Sequence, residues 1–300
     1  MQALPPRQAH ALMHLTVFVW GFTAILGRLI SLSAVALVWY RVVLVVLVMG
    51  GLIAWRKLGF FVPGPALRRL WLVGVFVGLH WLFFYGCIKY AGVAVAVLCL
   101  STITFFTALF EPLVFKRAVS VVELALGLSV MAGVALLVKV ETGTDTLGLL
   151  LGLSSALFSA AFGALNGRLA REVRAEVMTF FELSSALMLT TASFALWPGD
   201  FVGPWALSGK DALLLLGLAV GCTVLPWLWS LRVLKTLSPY TLALAVTLEP
   251  VYAMGLAYFF FPGAEQLTWR FYAGSAVLVA LVAANSWLKR APAAVAKPAA

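Results

Sequence analysis

Hydrophobic positions in this chain come in long, nearly unbroken runs, without the short alternation of a half-buried strand or the one-sided stripe of a surface helix. The runs lie at about 11–30, 33–55, 68–89, 91–114, 119–139, 147–168, 175–197, 210–233, 237–261 and 267–288. Each is close to the roughly 20 helical residues that cross a hydrocarbon core of about 30 Å. The pattern therefore predicts an all-α integral membrane protein with ten transmembrane helices. Pro63-Gly64-Pro65, Pro198-Gly199-Asp200, Gly203-Pro204 and Pro262-Gly263 mark loops between runs. The first run lacks a small-residue cleavage site and leads straight into further spans, so it reads as a helix and not a leader. Residues 291–300, APAAVAKPAA, are expected to be disordered.

One run stands apart from the others. Glu249 sits near the centre of 237–261 and Pro250 follows it directly. A charge at mid-membrane costs roughly 2.5–3.5 kcal/mol on insertion scales. The proline withholds a backbone donor and crowds the carbonyl four residues back. Such a helix is expected to break where protein or a wet cavity can satisfy the freed carbonyl.

Composition agrees with a membrane location: 63% of residues are hydrophobic and 11% charged, with a mean hydropathy of +1.05. A net charge of +10 is spread between apolar runs and forms no single patch, so no nucleic-acid partner is expected. The basic residues read instead as topology signals. With the N-terminus cytoplasmic, the other side receives Arg28, Arg41, Lys89, Lys139, Lys210 and Arg270, and the remaining 15 of the 21 Lys and Arg face the cytoplasm. Both termini are then cytoplasmic. Cys87, Cys99 and Cys222 lie inside apolar runs without a C-x-x-C pair and are expected to pack as small hydrophobes. His10 and His14 have an i,i+4 spacing but no third metal ligand in view, and no cofactor is expected.

An internal repeat overlies the ten runs. FTAILGRLI at 22–30 aligns with FGALNGRLA at 162–170, an offset of 140. Gly74-x-x-x-Gly78 aligns with Gly217-x-x-x-Gly221 at 143, Lys89 with Lys235 at 146, and Gly127 with Gly274 at 147. The offset only rises. Five helices are repeated, and an odd number inverts the second copy, which predicts two inverted five-helix repeats. The segments are a cytoplasmic start (1–10), the first repeat (11–140), the second repeat (147–288) and a cytoplasmic tail (289–300). Inverted repeats place a transport site near mid-membrane at their interface. Glu111-Pro112 resembles Glu249-Pro250, but its offset of 138 breaks the series. The register puts Ile103-Thr104 opposite Glu249-Pro250, and leaves Glu111 as an interfacial charge beside Lys116 and Arg117.

The segment TLEPVYAMGLAYFFFPGAEQLTWRFYAGSAVLV resembles the characteristic run of the EamA family of the drug/metabolite transporter superfamily: Glu-Pro, a small-and-apolar helix, a short Gly/Glu turn, Leu-Thr, then Gly. FFTALFEPLVFKRAVSVVELALGLSVMAGVALLV in the first half is similar, with Phe-Lys-Arg where a Gly-Glu turn is common. The resemblance covers essentially the whole chain. Within the family, the length, the cytoplasmic termini and the aromatic-rich helices 3 and 8 look most like YddG-type aromatic amino-acid exporters. That likeness implies a multi-pass protein of the bacterial inner membrane.

The polar and aromatic groups at mid-depth are the candidates for substrate binding: Trp20, His80, Trp81, Phe84, Ser101, Thr102, Phe158, Phe162, Trp227 and Glu249. Each has a structural alternative. His80 can tie two helices together, Ser101 and Thr102 can bond carbonyls of their own helix, and the aromatic rings can be core. Pro226 should kink helix 8, and Trp227 and Trp229, about 200° apart on a helix, cannot both face a cavity squarely. Glu249 can exchange a proton, neutralise a substrate ammonium, or serve as a buried structural carboxyl. Glu182 is expected to pair with Arg171 or Arg174. No G-x-x-x-x-G-K-[ST], H-E-x-x-H or paired intramembrane Asp occurs, so neither an ATPase nor a membrane enzyme is indicated. The expected function is secondary export of small amphipathic metabolites, foremost aromatic and other apolar amino acids, by alternating access between the repeats; broad drug or other metabolite export is the alternative. The expected partners are the substrate and the lipid bilayer, and a monomer is compatible with the pattern.

Overall fold

The computed structural model describes residues 3–141 and 146–260, together with 273, 274, 276, 277 and 280. The last predicted run, 267–288, and the tail therefore lie almost wholly outside the described residues. Eleven α-helices run in chain order among those described: α1 (Pro6–Leu29), α2 (Ala34–Trp55), α3 (Gly64–Leu100), α4 (Ile103–Phe115), α5 (Val121–Glu141), α6 (Thr146–Leu169), α7 (Ala175–Ser193), α8 (Gly209–Leu216), α9 (Leu225–Val233), α10 (Pro239–Val246) and α11 (Glu249–Phe260). A π-helical stretch, Gly217–Val224, joins α8 to α9. Among the described residues, five helical rods are long and apolar enough to cross a membrane: α1, α2, α3, α6 and the continuous rod Gly209–Val233. Large apolar side chains cover the outside, among them Leu47 at 66%, Leu113 at 74% and Leu213 at 70% exposure. Water would penalise such a surface, whereas lipid solvates it.

α3 has 37 residues, about 55 Å at 1.5 Å per residue, too long for one straight crossing. It divides at Gly92, whose φ of 90° and ψ of 170° suit glycine and few other residues. The division falls at the start of the predicted run 91–114, just past the end of 68–89. The chain then turns at Ser101–Thr102 before α4. In the other half, Ser238 caps α10 through Thr241 N–H, and a turn at Thr247–Leu248 precedes α11. Ser101 and Thr247 are 146 positions apart, as are Ile103 and Glu249. The two halves thus break their helices in the register that the sequence repeat assigns, and the first break has no proline beside it. Hydroxyls of the broken segments bond the local carbonyls: Thr102 Oγ1 donates to Cys99 O (2.7 Å), Thr104 Oγ1 to Ser101 O (3.0 Å) and Thr247 Oγ1 to Leu244 O (2.6 Å).

The strongest packing crosses between the halves: α3 lies against α6 and α7, α2 against α7, and α1 against α9 and α11. Gly74 makes the α3–α7 approach possible, since a Cβ there would fall 2.0 Å from the Glu182 carbonyl oxygen. Ser185 Oγ locks the same contact by donating to Trp71 O at 2.7 Å. The small-residue pair of the second half behaves differently: nothing lies within 4 Å of a Cβ at Gly217 or Gly221. These two glycines belong to the π stretch, and π turns accommodate extra residues inside a helix. That stretch lies where the repeat offset climbs from 143 to 146. It also directly precedes Pro226, so the helix widens ahead of the proline.

Glu111 takes the structural role assigned to it. One carboxylate oxygen accepts the Tyr240 N–H at 2.6 Å, the start of α10, and the other pairs with Arg117 at 3.3 Å. The pairing expected for Glu182 does not form. Arg69 and Arg168 go to Glu172, Arg56 goes to Glu176, and Glu182 lies about 9 Å further along the helix than Glu176. Cys87 and Cys99 flank Gly152, and Cys87 Sγ donates to Gly148 O at 3.2 Å.

The two glycine pairs give a direct comparison. Gly74→Ala should lower thermal stability in a detergent melting assay by the equivalent of about 1–3 kcal/mol, the usual cost of overpacking. Gly217→Ala should leave the melting temperature unchanged or raise it. Equal effects of both substitutions would contradict the packing described.

Candidate functional site

A small cleft of about 60 Å³ opens beside the two helix breaks. Its wall brings together Trp20 from α1, His80, Trp81 and Phe84 from α3, Phe162 from α6, Trp227 from α9 and Glu249 from α11. These are seven of the ten candidates read from the sequence. Two further pairs of positions explain where the cleft lies: Trp81 and Trp227, and Leu100 and Val246, all lining it, are each separated by 146 positions. The cleft is where equivalent positions of the two halves face each other. Trp81 and Trp227 meet edge to face with centroids 5.6 Å apart, and Phe162 packs on Trp227 at 5.5 Å.

The other three candidates are elsewhere. Ser101 Oγ and Thr102 Oγ1 bond Val97 O and Cys99 O at the helix break, so their hydroxyls serve the backbone. Phe158 packs against Phe76 and Phe83, away from the cleft. Trp229 is not among the lining residues, whereas Trp227 is. His80 has both of the roles weighed for it: it lines the cleft, and its Nδ1 lies 2.9 Å from Ser155 O and 2.8 Å from Ser155 Oγ, which ties α3 to α6.

The residue that sequence reasoning missed is Arg41. Counted among the topology signals, it is instead 2% exposed, within α2, and lines the cleft together with Thr23 and Ser159. Its Nε donates to Thr223 Oγ1 at 2.8 Å and its Nη1 to Tyr85 Oη at 2.9 Å. The guanidinium lies 3.9 Å from the Trp81 ring centroid, a cation–π stack. These contacts use two of five N–H donors. The signal was present: Arg41 is seven residues inside an apolar run, too deep for a loop charge.

Glu249, 3% exposed, is the first residue of α11, where the helix dipole favours an anion. It lines the same cleft as Arg41. The site thus holds one basic and one acidic side chain between aromatic walls. The α1–α2 turn is cross-linked to neighbouring helices. Asp211 at the start of α8 accepts Ser31 N–H at 2.9 Å and the Ser31 hydroxyl, and Lys89 Nζ donates to Ile30 O.

The model of the EamA-like transporter family matches residues 8–139 and 146–287. The chain belongs to that family. This EamA-like protein is accordingly a membrane transporter of the drug/metabolite superfamily, whose members are not enzymes. The two matched stretches fall on the two halves whose helix breaks correspond. Among solved structures, one titled "Crystal structure of protein" is similar over 95% of this chain and 99% of its own, with a TM-score of 0.72 and 18% identity, a likeness of fold. Comparison with curated proteins finds no match.

Removing one of the two groups leaves the other buried without the opposite charge in the cleft, so the two substitutions should not be additive. Arg41→Gln and Glu249→Gln are each expected to lower thermal stability, and the double variant to recover about 0.5–3 kcal/mol relative to their sum. Strict additivity in the melting data would mean that the charges do not interact.

Proposed function

We propose that this EamA-like transporter exports small zwitterionic metabolites, foremost aromatic and other apolar amino acids, by alternating access at the cleft. The observation that carries the reading is the presence of both Arg41 and Glu249 in the lining of one aromatic-walled cleft. A guanidinium recognises a carboxylate and a carboxylate recognises an ammonium. Trp20, Trp81, Phe84, Phe162 and Trp227 offer flat apolar faces for the side chain, and His80 adds a polar edge. A lone organic cation would be drawn to Glu249 but repelled by Arg41, which favours amino acids over a broad drug range.

In this reading the chain has ten transmembrane helices arranged as two inverted repeats, 11–140 and 147–288. Segments 1–10 and 289–300 are cytoplasmic, and the membrane is the bacterial inner membrane. The basic-residue asymmetry supports the orientation, and moving Arg41 from the loops to the cleft sharpens that asymmetry. The likeness to YddG-type exporters supports the aromatic preference.

Counterflow in proteoliposomes tests the substrate. Vesicles preloaded with Phe or Trp should accumulate radiolabelled Phe, with Met and Thr competing more weakly. Arg41→Gln and Glu249→Gln should each raise the apparent KM at least about tenfold, or roughly 1.4 kcal/mol of binding. No exchange of any of the four amino acids by a verified folded sample would sink the claim. Exchange of unrelated drugs alone would point to broad export instead.

A further inference from the structure

Behind the wall of the cleft, three helices meet at one buried carboxylate. Asn166 Nδ2 of α6 donates to Glu182 Oε2 at 3.4 Å, and Trp227 Nε1 of α9 donates to the same oxygen at 3.3 Å. Glu182 has no exposed surface and Asn166 has 2%. Two oxygens of this cluster are left over. Glu182 Oε1 and Asn166 Oδ1 are buried and have no hydrogen-bond partner among the described residues. Buried polar atoms are nearly always satisfied, and each exception calls for a physical cause. Both orphans are acceptors, so what is missing is a donor or a cation. A carboxyl proton supplies it: it removes the buried charge and turns one carboxylate oxygen into a donor.

The surroundings leave little else to balance Glu182. On α3, His80 is engaged by Ser155, Tyr85 by Arg41 and Arg69 by Glu172. On α2, Arg41 bonds Thr223 and Tyr85, and Arg56 pairs with Glu176. On α6, Arg168 pairs with Glu172. α3 also carries Arg68 near its start and Lys89, which donates to Ile30 O, and α9 carries Arg232, whose Nε is buried without a partner among the described residues, five positions beyond Trp227.

We propose that Glu182 is a proton-binding site of the transport cycle, linked to the substrate cleft through Trp227. One O–H bond forms when the carboxylate takes a proton from water on one side of the membrane, and the same bond breaks when the proton leaves to the other. Trp227 is the physical link because its ring lines the cleft while its N–H touches the carboxylate. A substrate that turns the ring alters the hydrogen bonding of Glu182, and protonation of Glu182 alters the seat of the ring. Such linkage is reciprocal. The inference rests on the transport reading above but not on which substrate is carried.

Infrared difference spectroscopy of the full chain in liposomes, stepped from alkaline to acidic buffer, tests the site without substrate. A carboxyl C=O band should appear on acidification, with uptake of about one proton per chain at this site measured by an indicator dye. The band should be missing in Glu182→Gln, present in Glu182→Asp and Glu249→Gln, and displaced in frequency in Trp227→Phe, which keeps a ring but lacks the N–H. Added Phe should perturb the same band. An identical band in Glu182→Gln, or the same spectral change produced by sodium at constant pH, overturns the proton site. A Phe-insensitive band in protein that exchanges Phe overturns the linkage. Failure of Phe exchange with the Glu182 band intact sinks the amino-acid reading alone.

Discussion

Hydrocarbon offers no water to a backbone amide or carbonyl, and that single constraint decides where this chain can stop being helical. The interruptions at Ser101–Thr102 and Thr247–Leu248 are inside the bundle, and threonine hydroxyls take up the carbonyls around them. A break that is satisfied in this way creates a place where side chains from several helices converge. The cleft stands beside both breaks, with Leu100 and Val246, the residues just ahead of them, in its wall. Glu249 can begin a helix at such a depth only because the chain has already turned there.

Much of this was legible in sequence. Run lengths gave the five membrane-length rods found among the described residues because the bilayer thickness fixes them, and the rising repeat offset gave the register in which both halves break. The same register separated Glu249 from Glu111, whose carboxylate turns out to cap α10. The side chains were harder to place. Seven of the candidate positions converge on the cleft, but Ser101, Thr102 and Phe158 do not, since hydroxyl and aromatic residues have abundant work in backbone bonding and packing. Arg41 and Glu182 were misassigned for one reason. Both were read as interfacial charges, and sequence depth alone does not reveal that a charge is buried among particular partners. The unequal use of the two small-residue pairs was also invisible, because it depends on the π turn that displaces Gly217 and Gly221 from a neighbour.

The polar groups of the core form two systems joined by aromatic rings. Arg41 stacks on Trp81, Trp81 meets Trp227, and Trp227 donates to Glu182. Indole suits this position: it has an apolar face for the cleft and a single donor for a buried acceptor. Gly74 fixes the far side of the second system, holding the backbone of Glu182 against α3. The carboxylate is therefore anchored through its main chain, while its side chain answers to a ring in the cleft wall.

Arg41 and Glu182 each lie seven residues past the first residue of their helices, α2 from Ala34 and α7 from Ala175. A transporter made of two identical inverted halves would have inward- and outward-open forms of equal free energy, related by the pseudo-symmetry axis. A basic side chain at one position and a carboxyl at its equivalent remove that degeneracy. A membrane potential contributes about 2.3 kcal/mol per charge per 100 mV moved fully across it. Under the proposed alternating-access reading, even partial displacement of either group while it is charged would bias which way the molecule rests, so the equivalent positions Arg41 and Glu182 make the two halves energetically distinct.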